Sequence, residues 1–258
     1  MSLSVTLSWI LGILLAGILV EAIRITWYLT SSRRVINIAE KFEQHNPTAT
    51  QRILFVGDSV GCSTGASHAR YSLAGRMGAD FPDTHIENRS EGQMRLSKAN
   101  RVLQEVCNQK STPFDMAIIQ IGGMDLVSGT PLRSVQRLLH EALRVATECG
   151  RAVVLIGPNN PGLAPLYRFP LSRVYHSRAR KFDRLYQEAA ATHGAYYVSL
   201  FEEQADPLAA HTLFAPDKTH PNSEGYGIWY NKMKATFANV LNQHDGHPTI
   251  EPRRPLEG

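Results

Sequence analysis

The sequence predicts an α/β domain built on a parallel sheet, preceded by an N-terminal membrane-spanning helix. Two patterns in the 258-residue chain predict this architecture. Short runs of β-forming residues alternate with longer runs that have apolar residues at helical spacing. Strands separated by helices need crossover connections, which produce a parallel sheet covered on both faces. Ahead of this region lies a stretch with no ionisable side chain before Glu21.

The N-terminal stretch, residues 5–20, is dominated by Leu, Ile, Val, Gly and Ala. It approaches the roughly 17–25 residues that a membrane span needs. A helix from Trp9 to Trp27 would measure about 27 Å, so these two aromatics would mark the two membrane interfaces. We interpret residues 1–30 as an uncleaved anchor. Two alternatives stay open: a cleaved signal peptide, which would have a basic first segment and a shorter core, and a buried or amphipathic helix.

The charges around this stretch predict its orientation. Nothing basic precedes the apolar residues, and three arginines follow them: Arg24, Arg33 and Arg34. The positive-inside rule then keeps the domain in the cytoplasm as a single-pass membrane protein, with the periplasmic or other extracytoplasmic side as the alternative.

Charge and cysteine content exclude other classes of protein. The net charge of +4 is modest and its Lys and Arg are scattered, so we expect no nucleic-acid partner. The three cysteines, Cys62, Cys107 and Cys149, are odd in number and widely spaced. Because this fits neither a disulfide framework nor a zinc site, we expect reduced, buried side chains, which agree weakly with a cytoplasmic location.

The elements follow in order along the chain. We interpret residues 31–51 as a polar linker, 52–241 as the domain, and 242–258, rich in Pro, Gly and charge, as a flexible tail. Five runs are typical of strands: 53–56, 84–88, 116–121, 152–156 and 195–198. Three patterns are the clearest helices: 134–149, 177–193 and 223–241.

The segment 158–176 follows a strand yet carries four prolines among apolar residues. Prolines rule out a regular helix through most of it. A long apolar loop at the carboxyl end of a strand is often functional, so we expect a pocket wall or lid, or equally a segment that packs over a sheet edge.

The chemistry is concentrated in two short motifs. Gly57-Asp58-Ser59-Val60-Gly61 follows the first strand, where a sharp turn exposes the serine at the carboxyl edge of the sheet. A serine hydroxyl is a weak nucleophile until a base takes its proton. Asp217-Lys218-Thr219-His220, near the other end of the chain, supplies a histidine base and a carboxylate to orient it.

The first motif satisfies the G-x-S-x-G elbow of α/β-hydrolases, but that elbow lies deeper in its sheet than the first strand. The order of the motifs instead resembles the SGNH (GDSL-type) hydrolase family. The resemblance covers roughly residues 52–241 and is carried by four blocks: Gly57-Asp58-Ser59, Asn88-Arg89-Ser90-Glu91-Gly92, Ile121-Gly122-Gly123-Met124-Asp125 and Asp217-Lys218-Thr219-His220.

The resemblance implies a flavodoxin-like three-layer sandwich with a five-stranded parallel sheet, the SGNH hydrolase fold. It makes Ser59 the nucleophile, His220 the base and Asp217 the carboxylate that orients the base. The backbone amides of Ser59 and Gly92 would form the oxyanion hole. The family's third oxyanion donor is an Asn side chain, and Met124 stands in its place.

A thioether donates no hydrogen bond, so this departure should slow the reaction. Losing one such donor costs roughly 10² to 10³ in rate. Gln93, one residue beyond Gly92, or Asn159 or Asn160, which follow the fourth predicted strand, would lend an amide instead.

These observations predict a serine esterase that forms an acyl-enzyme on Ser59 and needs no metal or organic cofactor. The remaining nine histidines show no metal-ligand spacing. The expected substrate is a carboxylic ester, such as a short acyl ester, a lysophospholipid-like ester or an O-acetylated sugar, with the anchor and the apolar loop favouring lipid-like esters. Acyl transfer would use the same residues. The alternative is an SGNH-fold binding or scaffold protein that has lost its activity, as Met124 would suggest.

Overall fold

A five-stranded parallel sheet forms the centre of the molecule in the computed structural model, which describes residues 3–109, 112–204 and 212–243. The strands lie in the order β2-β1-β3-β4-β5, and every neighbouring pair is parallel. Their bounds are β1 Gln51–Gly57, β2 Thr84–Asn88, β3 Phe114–Gln120, β4 Gly150–Ile156 and β5 Tyr196–Val198. Because β1 lies between β2 and β3, the winding of the chain reverses beside β1, and ligands bind at such a switch point in open α/β sheets.

Helices cover both faces of the sheet, which confirms the predicted three-layer fold. They are α2 Leu73–Asp80, α3 Leu96–Asn108, α4 Gly123–Val127, α5 Leu132–Cys149, α6 Leu171–His193 and α7 Ser223–Asn242. Side chains alternate between the faces of a strand. Leu54 and Val56 therefore pack with α3, α5 and α6, whereas Ile53 and Phe55 pack with α2 and α7.

The proline-rich loop is shorter than predicted, because α6 begins at Leu171, directly after the last proline, Pro170. Because no proline follows Pro170 in this segment, every later residue can donate its backbone N–H to a helix. The loop itself contains one short 3₁₀ turn, Pro161–Leu163.

The N-terminal helix, α1, spans Leu3–Asn37. It continues seven residues beyond the predicted anchor boundary at residue 30, into the segment that we interpreted as a linker. Residues 5–20 are exposed on every side. The segment Val5–Asn37, whose most apolar 18-residue window has a mean hydropathy of 2.1, is long and apolar enough to cross a membrane, as a membrane anchor or a signal sequence would be. Most of the predicted tail, residues 244–258, lies outside the described residues.

Two of the three cysteines are paired, so the expectation of reduced thiols is wrong for them. Cys107 of α3 and Cys149 at the end of α5 form a disulfide with a Cα–Cα distance of 5.2 Å. The two helices pack side by side on one face of the sheet, which brings together cysteines that are 42 positions apart. Cys62 is free and buried, as expected. The cysteines therefore no longer support a cytoplasmic location.

Candidate active site

Ser59 lies in a tight turn at the carboxyl end of β1, at the switch point of the sheet. The turn is closed by its own backbone bonds, since the carbonyl of Asp58 accepts from Cys62 N at 3.2 Å and that of Ser59 from Thr64 N at 3.0 Å. Gly57 is needed at the entrance of the turn, because a Cβ there would lie 2.9 Å from the carbonyl oxygen of Gln120 on β3. The close approach of β1 and β3 thus requires glycine at this position.

Asp58 joins the serine turn to the segment after β3. One of its carboxylate oxygens accepts from Val60 N at 3.1 Å, and the other accepts from Gly123 N at 3.2 Å. Burial raises the pKa of Asp58, although these two amides act in the opposite direction. The side chain therefore holds two loops together beside Ser59.

The structure brings the predicted nucleophile, base and carboxylate together. His220 Nε2 lies 3.0 Å from Ser59 Oγ, across 161 positions of sequence. His220 Nδ1 lies 2.5 Å from Asp217 Oδ2. Because an ionised carboxylate only accepts hydrogen bonds, Nδ1 carries the proton and Nε2 is left to accept the serine hydroxyl.

Asp217 is fully buried and well supplied with donors. Its Oδ1 accepts from the amides of Thr219 and His220, both at 3.1 Å. Lys218 makes this possible by adopting a left-handed conformation with φ of 60°. Burial alone would raise the pKa of Asp217, but the hydrogen bonds and charge interaction with His220, together with the two amides, hold it below the ordinary value. The carboxylate therefore stays ionised beside the imidazole.

Gly92, the second predicted oxyanion residue, lies in the turn after β2. This turn is bonded to the end of β1, because Glu91 N donates to the carbonyl of Gly57 at 3.1 Å. Among the described residues, the backbone amides of Ser59 and Gly92 donate to no other group. The lack of a protein acceptor for these two amides is what the predicted oxyanion role requires.

The candidate third donors differ in their surroundings. Met124 lines the pocket beside Ser59, and so do Gln93 and Asn159. Asn160 is buried, and its side chain is already used, because its amide donates to the carbonyl of Glu202 at 2.8 Å and its oxygen accepts from Gly162 N at 3.0 Å. Asn160 is thus excluded as a substitute for the family's Asn.

The pocket around the serine and histidine has a volume of about 260 Å³. The proline-rich loop forms part of its wall through Pro158, Asn159, Pro161, Leu166 and Tyr167. Helix α1 forms another part through Leu29, Ser32, Arg33 and Ile36, which the sequence analysis did not include in the site. Their i, i+3, i+4, i+7 spacing is the only signal in the sequence that would have placed them on one helical face.

Comparison with known proteins identifies the family. The model of the GDSL-like lipase/acylhydrolase family matches residues 55–228, about two thirds of the chain. The chain belongs to this family. The predicted resemblance to SGNH (GDSL-type) hydrolases is confirmed, and the hydrolase acts on ester bonds. No curated protein matches the sequence.

Solved structures share the fold of the hydrolase. A lipolytic protein of the G-D-S-L family from Veillonella parvula matches with a TM-score of 0.59 at 16% identity, over 72% of this chain and 98% of that chain. The psychrotrophic esterase EstA from Pseudoalteromonas sp., in a structure inhibited by monoethylphosphonate, matches with a TM-score of 0.59 at 17% identity, over 74% and 99% of the two chains. A variant of an acetyl xylan esterase from Geobacillus stearothermophilus matches with a TM-score of 0.53 at 16% identity, over 78% and 98%. At these identities the likeness shows the fold alone.

Proposed function

We propose that the hydrolase is a membrane-anchored serine esterase that forms an acyl-enzyme on Ser59. The observation that carries the proposal is the unbroken line of hydrogen-bonding groups from Ser59 Oγ through His220 to the buried carboxylate of Asp217. Such an arrangement converts a serine hydroxyl into a nucleophile at neutral pH.

The reaction follows from this geometry. His220 Nε2 takes the hydroxyl proton while Ser59 Oγ attacks the ester carbonyl carbon, and the carbonyl π electrons move onto oxygen as an oxyanion. The backbone amides of Ser59 and Gly92 stabilise that charge. As the intermediate collapses, the imidazolium gives its proton to the departing alkoxide and the acyl group stays on Ser59. His220 then takes a proton from water, whose oxygen attacks the acyl-enzyme. As the bond between the acyl carbon and Ser59 Oγ breaks, the imidazolium returns its proton to Oγ and the acid is released.

Met124 favours a second candidate function, a binding or scaffold protein that keeps the fold without turnover. A thioether in the oxyanion hole removes one donor but leaves two. The geometry of Ser59, His220 and Asp217 supports the esterase, because a chain without selection for catalysis has no need to hold a buried carboxylate against an imidazole that faces a serine.

The side of the membrane on which the domain lies needs a separate test. The arginines after the apolar stretch favour a cytoplasmic domain. The disulfide between Cys107 and Cys149 is instead typical of an oxidising compartment. Reporter proteins fused to the C-terminus, one active only in the cytoplasm and one only outside it, separate these two placements.

A serine-directed fluorophosphonate tests the esterase. We expect the probe to label the wild-type chain and to be found by mass spectrometry on the peptide that contains Ser59. Ser59→Ala should abolish labelling, and His220→Ala should slow it strongly, because the hydroxyl then lacks its base. Ser128→Ala, at an exposed position, is the control and should label normally. A wild-type chain that never labels would favour the scaffold.

A further inference from the structure

The two halves of α1 have different surroundings. In the first half, residues 5–20, every side chain is exposed. In the second half, which we call the juxtamembrane half and define as residues 21–37, one stripe is partly or fully buried against the domain: Glu21, Arg24, Ile25, Tyr28, Ser31, Ser32, Val35 and Ile36. Residues three and four apart share one face of a helix, so the juxtamembrane half is docked along a single face. An inert tether would have no need of such a face.

One edge of this docked face borders the catalytic pocket. Ile36 on the face, and the exposed Leu29 and Arg33 beside it, line the same 260 Å³ pocket as Ser59 and His220. Ile36 also lies against Gly92, because a Cβ added to that glycine would be 2.6 Å from Ile36 Cγ2. The juxtamembrane half therefore borders both the pocket and the turn that we propose for the oxyanion hole.

Polar bonds connect α1 to the catalytic turn. Arg24 pairs with Glu21 on the same helix, and its guanidinium also donates to the carbonyl of Leu166 at 2.7 Å. The amide of Leu166 in turn donates to the carbonyl of Lys218 at 3.1 Å. Lys218 belongs to the turn that carries Asp217 and His220, so two hydrogen bonds connect the helix to that turn.

The position of the pocket along α1 places it near the lipid surface. Leu29 lies nine residues beyond Val20, about 14 Å along the helix axis. The headgroup layer of one leaflet is roughly 5–8 Å thick. Trp27 and Phe169 are each 72% exposed near the point where the helix leaves the domain. Trp is favoured at the membrane interface. With the hydrocarbon boundary at Val20, the rim of the pocket at Leu29 would stand about 6–9 Å beyond the headgroups.

Arg33 gives the pocket a positive charge. Its side chain is exposed and lines the pocket, and among the described residues it forms no ion pair. Leu29 and Ile36 are apolar. The α1 wall thus offers a hydrocarbon surface and a cation to the same ligand, which matches an amphiphile with an acyl chain and an anionic group.

We propose that the juxtamembrane half of α1 is a wall of the substrate site, and that the hydrolase takes its ester from an anionic amphiphile held at the membrane surface. Leu29 and Ile36 contact the acyl chain, and Arg33 pairs with the anion. This inference rests on the proposed esterase function and on α1 being the membrane anchor.

The test uses the full chain reconstituted in phosphatidylcholine vesicles, with two matched pairs of variants. In the first pair, Leu29→Trp narrows the pocket, whereas Thr30→Trp makes the same change at the neighbouring exposed position, which does not line it. With p-nitrophenyl esters of increasing acyl length, we expect Leu29→Trp to reduce kcat/KM at least tenfold more for a long acyl chain than for acetyl. Thr30→Trp should keep the wild-type profile.

In the second pair, Arg33→Gln and Arg34→Gln remove the same charge from adjacent exposed positions, of which only Arg33 lines the pocket. The probes are monoacyl phosphatidylglycerol and monoacylglycerol in the same vesicles. We expect Arg33→Gln to lower the preference for the anionic probe about tenfold through KM, and Arg34→Gln to leave that preference unchanged.

Fluorophosphonate labelling of Ser59 in every variant separates the two proposals. If wild type and variants label alike but neither pair differs in acyl-length or charge preference, α1 is an anchor alone and the inference is overturned. If wild type does not label, the esterase proposal fails and the inference fails with it. Differences confined to Leu29→Trp and Arg33→Gln support both proposals.

Discussion

Replacing Met124 by Asn tests the one position where the site departs from the family pattern. Met124 lines the pocket with Ser59 and His220. Its thioether offers no donor, whereas the amide of an asparagine offers two N–H groups. We therefore expect Met124→Asn to hydrolyse a short aryl ester faster than the wild-type chain, through a higher kcat.

The size of the gain depends on how firmly the new amide is held. One preorganised oxyanion donor contributes about 3–4 kcal/mol to the transition state, or roughly 10² to 10³ in rate. The backbone at Met124 is well fixed, because α4 starts here: Gly123 N donates to Asp58 at 3.2 Å, and Ser128 N donates to the Met124 carbonyl at 3.0 Å. We expect an increase of at least tenfold, with about 10³ as the upper limit.

The assay is steady-state hydrolysis of p-nitrophenyl acetate by the purified full chain in detergent. Met124→Leu is the matched control, since it removes the sulfur without adding a donor. Ser59→Ala in the Met124→Asn background must abolish the gain, which ties it to the same nucleophile. The reasoning is refuted if Met124→Asn is no faster than Met124→Leu. A loss of activity in Gln93→Ala or Asn159→Ala would then identify the amide that already serves in place of the missing one.

Four further predictions concern the carboxylate and the cysteines. Asp217→Asn should lower kcat by roughly 10⁴, because the carboxylate no longer holds His220 in the tautomer that carries its proton on Nδ1. If the carboxylate were only structural, single-turnover kinetics would show an unchanged rate. The pKa of Asp217 is lowered from its ordinary 3.8 in the folded chain. The stability that this carboxylate contributes is therefore complete above pH 3.8 and is lost as the pH falls through the lower folded-state pKa. In urea unfolding, acidification should reduce the free energy of unfolding less in Asp217→Asn than in wild type. Reduction of the Cys107–Cys149 disulfide, which closes a loop of 42 positions, should cost about 4 kcal/mol in urea unfolding, and equal stability with and without reductant would contradict the pairing. Burial raises the pKa of Cys62 to about 12, so iodoacetamide should leave the native chain unmodified at pH 8. After denaturation without reductant, it should alkylate a single thiol, which the intact mass of the chain would show.

The predicted elements agree well with the structure where the pattern is local. The run 84–88 is β2 to the residue, and the helix predicted at 223–241 is one residue shorter than α7. Among the three helices predicted in the domain, the largest difference is at α6, which begins six residues before the predicted start at 177. That error came from the four prolines, which disfavour a helix only as far as the last of them.

The sequence could not predict the cysteine pairing or the contact of α1 with the pocket. Residues 42 positions apart become neighbours only because α3 and α5 pack side by side, and spacing alone does not reveal which helices are adjacent. In the same way, Leu29 and Ile36 are ordinary apolar residues at the end of an apolar helix. Their place in the pocket depends on how α1 docks, which no local pattern encodes.

The sequence by itself determined the α/β class and the apolar first helix, and it predicted the chemical groups that we propose for catalysis, Ser59, His220 and Asp217. These follow from periodicity and from short blocks whose chemistry is carried by neighbouring residues. The tertiary structure alone decided that an imidazole 161 positions away lies 3.0 Å from the serine hydroxyl, that the side chain of Asn160 already has hydrogen-bond partners, and that α1 lines the pocket. The physical reason is that distances between remote segments are set by how buried faces pack together, and many packings are compatible with the same local pattern.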